Sequence, residues 1–393
     1  MSEPSNSRKT LSGLIYSEKV RGIMAQVLVT GGIAFLAWYL ISNTFENLDK
    51  QGIATGYGFL SLQSSFGISE HIISFDPSNT YGRALLVGLL NTVKVSFIGI
   101  IIATIIGFAV GISRMSSNWI LSRIAAIYIN LFRNIPVLLQ LIFWYALINN
   151  GFPKPKQALE VLPDVFLSNR GVLYPVPADH PAYFWMGVVF VAALFGAWLL
   201  RRWALARQDR TGQSFPTVWA GLALVVVSVF ITYLVFGAPT EMDTPVLKGF
   251  NFKGGAKLSP EFLSLLIGLS LYTSTYIADI VRSGLQSVPK GQKEAATDLG
   301  LKPSQTLVYV VIPQAQRVMI PPLTSQFLNL TKNSSLAVAV GYPDLVSLSN
   351  TTMNQTGQAI EAISIFMGIY LGLSLTISLF MNWYNKRMAL VER

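Results

Sequence analysis

Three amides stand where this sequence is otherwise apolar. Gln326, Asn329 and Asn333 follow i, i+3, i+7 spacing, which puts them on one face if 316–336 is helical. Thr324, Ser325, Thr331, Lys332 and Ser334 make the same stretch the most polar of the long apolar ones. Such a stripe can hydrogen-bond a polar solute that has lost its water, a loss that costs several kcal/mol when unpaired. It can equally form a hydrogen-bonded seam between helices, worth about 1 kcal/mol per contact. Lys94, Arg133, Asp279 and Lys332 are charges at comparable depth, and such charges usually face an interior or a cavity. Asp279 and Arg282 lie one turn apart near the inner surface and suit a structural ion pair or snorkelling. Lys94 and Arg133 fit structural pairing and pathway lining equally well.

Other chemistry finds no support. Cysteine is absent, so no disulfide, thiolate nucleophile or thiolate metal site can form. There are only two histidines, His71 and His180, and no paired carboxylates within an apolar stretch, which speaks against a membrane-embedded enzyme. Gly249–Lys257 faintly resembles a phosphate-binding loop, but Gly255 stands where the pattern requires lysine. No metal, nucleotide or other cofactor site is expected on this chain.

The elements that would hold these residues are apolar helices. Hydrophobic residues make up 52% of the 393 positions and charged ones 12%, about half the charge of a typical soluble domain. Eight stretches can each cross about 30 Å of hydrocarbon. They are 23–42, 84–112, 122–149, 182–200, 217–236, 262–282, 316–336 and 361–383. With a cytoplasmic N-terminus and alternating spans, eighteen lysines and arginines fall inside and eight outside. The inner set includes Arg8, Lys9, Arg114, Arg123, Arg201, Arg202, Arg207, Arg210, Lys290, Lys293, Lys386 and Arg393. The net charge of +10 is therefore a topological signal, not a nucleic-acid patch. A polar segment precedes the first span without a cleavage pattern, so that span is expected to be retained. Gly107 with Gly111, and Gly368 with Gly372, are small pairs that permit close helix packing.

Six prolines between 150 and 181 mark an ordered loop, and 237–260 has a similar composition. Together they bracket the plain apolar spans 182–200 and 217–236. Ser259-Pro260-Glu261 reads as a helix start. The longest inner loop, 283–315, is too polar to insert. Val288-Pro289-Lys290 opens a helix, Glu294-Ala295-Ala296 continues it, and Gly300 can end it in a left-handed cap. Lys302-Pro303 starts a second short helix that Pro313 is expected to stop. The flat alanine face and the charge of Glu294 suit docking into a groove, though a plain surface loop has the same composition.

Glu294-Ala295-Ala296, Gly300 and Ile312-Pro313 resemble the EAA loop of ABC-importer permeases. Ala278–Arg282, Gly284, Gly291-Gln292 and Pro313–Ala315 are similar to the polar amino-acid subfamily of those permeases. So are Leu330–Leu336, Asn91–Ser96 and Arg133–Gln140. The resemblance covers about 84–149 and 262–383. The enlarged layout, with its long N-terminal segment and the insertion at 150–261, resembles the general L-amino-acid permeases of the Aap and Bzt systems. Asp279 stands where relatives often carry Glu, and Asn333 where they often carry Asp.

The resemblance implies an all-α membrane protein of about eight transmembrane helices, with a type I ABC-importer permease fold and two inserted helices. The implied layout is a cytoplasmic segment 1–22, a first helix and periplasmic loop 23–83, and core parts 84–149 and 262–383. The tail 384–393 would be cytoplasmic. Val288, Pro289, Gly291, Gln292, Glu294, Ala295, Ala296, Leu299 and Gly300 would meet the ATPase. Lys94, Arg133, Gln326, Asn329, Lys332 and Asn333 would line the path of L-amino acids across the bacterial inner membrane. The partners would be an ATPase dimer holding ATP and magnesium, a second homologous permease and a periplasmic binding protein. A secondary transporter driven by an ion gradient is the competing reading, but no internal repeat of the kind common in such folds is visible.

Overall fold

The computed structural model describes residues 18–52 and 55–388. The expected segment 1–22 therefore lies almost entirely outside the described residues, as does the end of the tail. Two compact units emerge, one of 1–91 with 343–376 and one of 92–342 with 377–393.

Among the described residues, six helices are long and apolar enough to cross a membrane. They are α1 (Glu18–Lys50), α2 (Tyr81–Arg114), α5 (Pro181–Thr211), α6 (Thr217–Val235), α7 (Pro260–Gln286) and α12 (Ala359–Met388). The other two predicted spans differ. The stretch 122–149 is two helices, α3 (Trp119–Asn134) and α4 (Val137–Gly151), bent by 101°. Pro136 forces the break: Ile135 before it is driven extended, at φ −94 and ψ 126. Buried Gln140 then donates to the freed carbonyls of Phe132 and Ile135 at 2.7 and 2.9 Å. Counted as one broken span, this pair makes seven. The stretch 316–336 is helical, in α10 (Ile312–Asn333) and the start of the 3-10 helix Ser334–Val340 after it, but its polar residues leave α10 short of a span's apolarity.

The unit 92–342 is built around α7. Its small residues, Gly268, Ser270, Thr273, Ser274 and Ala278, are buried and let other helices approach closely. The Cβ position of Gly107 lies 2.5 Å from Ile277 Cγ2, and that of Gly111 lies 2.7 Å from the Ala278 carbonyl. A side chain at either would force the two helices apart. The second predicted pair behaves differently, since Gly368 and Gly372 face open space. Leu141, Leu265, Leu269, Ile277, Val281, Ala315, Met319 and Leu330 complete the core.

The polar loop 283–315 contains α8 (Lys290–Asp298) and α9 (Pro303–Thr306). Contrary to expectation, Pro313 does not stop the second helix. A π turn at Leu307–Val311 runs straight into α10, where Pro313 sits in the first turn and needs no amide partner.

The two proline-rich loops form strands that their composition did not announce. These are β1 (Leu159–Leu162), β2 (Val165–Ser168), β3 (Gly171–Tyr174), β4 (Val176–Pro177), β5 (Met242–Asp243), β6 (Val246–Lys248), β7 (Asn251–Lys253) and β8 (Ala256–Leu258). Strand β8 pairs antiparallel with β3, so the loops flanking the α5–α6 hairpin close into one sheet in the order β1-β2-β3-β8. Gly249–Lys257 is thus strand and turn, not a phosphate cradle. Ser259 caps α7, its hydroxyl accepting from the Phe262 amide at 3.1 Å, with Pro260 in the first turn as expected.

In the unit of 1–91 and 343–376, the backbone of Gly88 lies against Asp344 and Leu345, and Asn91 Nδ2 donates to the Pro343 carbonyl at 2.9 Å. Asp344 has no exposed surface and caps α11 (Leu345–Thr356) by accepting the Ser347 amide at 2.8 Å. Burial pushes its carboxyl from the usual 3.8 up to about 7. The folded state therefore keeps a proton that the unfolded state releases above about pH 4. Stability at this site should fall as pH rises from about 4 through 7, and level off above. Asn is an equally good cap and carries no charge. Asp344→Asn should thus remove on the order of 2–3 kcal/mol of the destabilisation between about pH 5 and 8. Melting curves of both proteins across that range check this, and parallel curves would show that Asp344 does not titrate there.

Candidate functional site

Helix α8 presents two faces. Ala296 is buried and Lys293 partly so, while Gly291, Glu294, Ala295, Asp298 and Leu299 are exposed. Lys290, Gln292 and Thr297 are exposed as well, and within this exposed surface Gly291, Glu294, Ala295, Asp298 and Leu299 follow i, i+3, i+4, i+7, i+8 spacing as one stripe. Leu299 is 81% exposed, a large apolar side chain held in water at the loop's tip. Gly300 takes φ +77. The Leu301 amide donates to the Ala296 carbonyl at 3.1 Å and the Gly300 amide to the Thr297 carbonyl at 2.8 Å. Both bonds of a Schellman motif are present, so the helix ends as its glycine predicts.

The loop is anchored from behind. Val288 belongs to the core next to the capping Pro289, and Gln292 Oε1 accepts from Gln314 Nε2 at 3.2 Å. Lys293, Thr297 and Leu301 line a 610 Å³ cavity together with Ile112, Leu121 and Leu307. The exposed stripe thus sits on a helix whose other side faces the ends of α2 and α3 across this cavity.

Of the six predicted pathway residues, the structure brings three together. Gln326, Asn329 and Asn333 on α10 line a 310 Å³ cavity whose other wall is Tyr272, Thr273 and Tyr276 of α7. The side chains of the three amides hydrogen-bond to nothing among the described residues. A seam between helices would have consumed those donors and acceptors, so within this chain the stripe is not a seam. The two tyrosines meet hydroxyl to hydroxyl at 2.9 Å. Sequence reasoning passed over them, although an i, i+4 pair of tyrosines in a Ser- and Thr-rich span was a visible signal.

The other three stand apart. Arg133 pairs with Asp279 at 2.5 Å, donates to the Thr275 carbonyl at 2.7 Å and lies 4.6 Å over the Tyr276 ring. It ties α3 to α7 and backs the cavity wall without lining it. Asp279 therefore takes Arg133 as its close partner, with Arg282 at a looser 3.7 Å. Lys94 lies 4.4 Å over the Phe262 ring, and Lys332 is exposed on another side of α10.

Residues 210–390, which include both walls of the cavity and the whole of α8, match the family described as "Binding-protein-dependent transport system inner membrane component". Three curated relatives match along almost the whole chain. The general L-amino acid transport system permease protein AapQ of Rhizobium johnstonii is 46% identical, over 96% of this chain and 95% of its own. The putative amino-acid ABC transporter permease protein YhdX of Escherichia coli is 46% identical, over 99% and 100%. The glutamate/glutamine/aspartate/asparagine transport system permease protein BztB of Rhodobacter capsulatus is 39% identical, over 100% and 99%.

Proposed function

This chain belongs to the family of ABC-transporter inner-membrane permeases that serve binding-protein-dependent import, and we propose that it carries L-amino acids as one half of a permease pair. It has no chemistry of its own in this reading. A separate ATPase dimer binds ATP and magnesium, docks on the exposed stripe of α8 and drives the permease. A second, homologous permease stands across the pathway, and a binding protein delivers substrate from outside. The amino acid passes the amides of Gln326, Asn329 and Asn333. A secondary transporter would have no use for a cytoplasmic lever ending in an exposed apolar residue.

The observation that carries the proposal is the stripe itself. Glu294, Ala295 and Leu299 face outward from a helix fixed behind by a buried core residue and a cavity wall. Such a face serves a partner, since Leu299 contributes nothing to the chain's own packing. The test is co-elution of the purified ATPase subunit with this chain in detergent. Retention by the native chain and loss with Leu299→Asp supports the reading. Equal retention by both removes its main physical support.

The orientation follows the charge bias, with both termini cytoplasmic, which requires the polar helix α10 to cross as an eighth span beside the seven apolar ones. A cysteine placed at Gly254 should then label from outside intact cells, and one placed at Lys290 should not. The native chain supplies no competing thiol. Reversed labelling would overturn the topology and the docking face together.

A further inference from the structure

The α5–α6 hairpin has no part in the lever or the cavity. Its helices pack on each other, and only 6% of the apolar stretch of each is buried, so the rest of the chain leaves nearly all of the hairpin's surface uncovered. Helix α5 is 31 residues long, roughly 46 Å at helical rise, which exceeds the ~30 Å hydrocarbon layer. Its apolar part ends at Leu200, and Arg201, Arg202, Arg207 and Arg210 follow, with Asp209 the single acid.

A groove of 610 Å³ runs along the seam. Gly196, Leu199, Leu200 and Trp203 form one wall, and Ala220, Ala223, Leu224 and Val227 the other. The helices come close at Gly196, whose Cβ position lies 3.2 Å from Leu224 Cδ2, and at Gly221, 3.4 Å from the Ala197 Cβ. The small side chains of Ala220 and Ala223 leave space beside that contact.

The groove's stripe continues into charge. Residues 196, 200, 203, 207 and 210 share one helical face, so Arg207 and Arg210 extend the line beyond Trp203. The Arg207 guanidinium lies 5.6 Å from the Trp203 ring centre, and its Nη2 donates to Gln213 at 3.1 Å. Arg202 lies on another face, 4.2 Å over Trp198. An indole at the groove mouth with arginines just past it is the pattern of a membrane interface.

Two demands meet here. The groove offers mainly apolar contact and is open on the outer surface of the hairpin, which suits a hydrocarbon chain. The arginines offer forked donors that match phosphate oxygens. A soluble anion would leave the groove unused, and a zwitterionic lipid would leave the positive charge uncompensated. We infer that the α5–α6 hairpin holds one anionic glycerophospholipid, with an acyl chain along the groove and its phosphate on Arg207 and Arg210.

The test uses the full complex, stripped of lipid in detergent and titrated with phosphatidylglycerol or with phosphatidylcholine of the same chain length. Bound lipid is counted by native mass spectrometry. Phosphatidylglycerol should bind about tenfold tighter than phosphatidylcholine, and the double variant Arg207→Gln/Arg210→Gln should erase that preference. Arg201→Gln/Arg202→Gln removes equal charge from the other face and should leave most of it. Ala223→Leu fills the groove and should weaken both lipids, and inorganic phosphate should not displace the bound one. Equal binding of the two lipids, displacement by phosphate, or equal loss from the two arginine pairs would overturn the inference. Should Ala223→Leu fail to assemble, the surface arginine pairs decide alone.

Discussion

Gly300→Val should yield a permease that inserts normally and no longer imports. Gly300 sits at φ +77, and apart from its two chain neighbours no heavy atom of the described residues lies within 4 Å of the position a Cβ would take. The cost is therefore in the backbone. A β-branched residue resists the left-handed region by about 1–3 kcal/mol. The Schellman bonds to Ala296 and Thr297 would open, and Leu299 beside them would lose its fixed place on the proposed docking stripe. Uptake should fall at least about tenfold, since each 1.4 kcal/mol lost from a contact is a factor of ten. Gly300→Asn separates this from simple crowding by the partner. Asn tolerates the left-handed region and should restore much of the coupling if the helix end is what matters. Glu294→Lys should also impair coupling, because it reverses a charge on the same face. The measurements are uptake and substrate-stimulated ATP hydrolysis in liposomes holding all subunits. If Gly300→Val and Glu294→Lys both stay near wild type, α8 is not the coupling element.

What could be read from the chain beforehand was local. The Ser259-Pro260 start of α7 and the Gly300 end of α8 depend on a few adjacent residues, and both form as their chemistry dictates. The face shared by Gln326, Asn329 and Asn333 depends only on helical periodicity. The surprises were all non-local or composite. A proline at 136 by itself favours a kink, but the 101° break needed buried Gln140 to satisfy the carbonyls it freed. Pro313 looked like a stop because the π turn before it, which carries the helix through, has no sequence signature. Strand β3 finds β8 across a hairpin of two long helices, and strands of three or four residues leave little periodicity to detect. Asp279 had a plausible partner one turn away in Arg282, yet its closer one comes from α3. Distance along the chain hid that pairing, and with it the structural task of Arg133.

Asn329→Leu should abolish most transport while the complex still assembles. Asn329 lines the 310 Å³ cavity with Gln326 and Asn333, and its side chain makes no hydrogen bond among the described residues. Removing it breaks nothing within the fold, so stability should change little. A zwitterion in passage would lose a polar partner, and an unpaired polar group in such a site costs about 1–3 kcal/mol, or roughly ten- to hundredfold in uptake. Gln326→Leu should act in the same direction for the same reason. Tyr276→Phe supplies the contrast. It keeps the ring beneath Arg133 and deletes only the hydroxyl that meets Tyr272 at 2.9 Å, so the α3–α7 tie survives. A loss of uptake in Tyr276→Phe as well would extend the pathway onto α7, whereas normal uptake would confine it to the amides of α10. The check is initial uptake rate in liposomes beside the yield of intact complex from detergent. Falling uptake with full yield places these amides on the route. If the complex instead falls apart, the stripe serves contact with the second permease, and the route must run elsewhere.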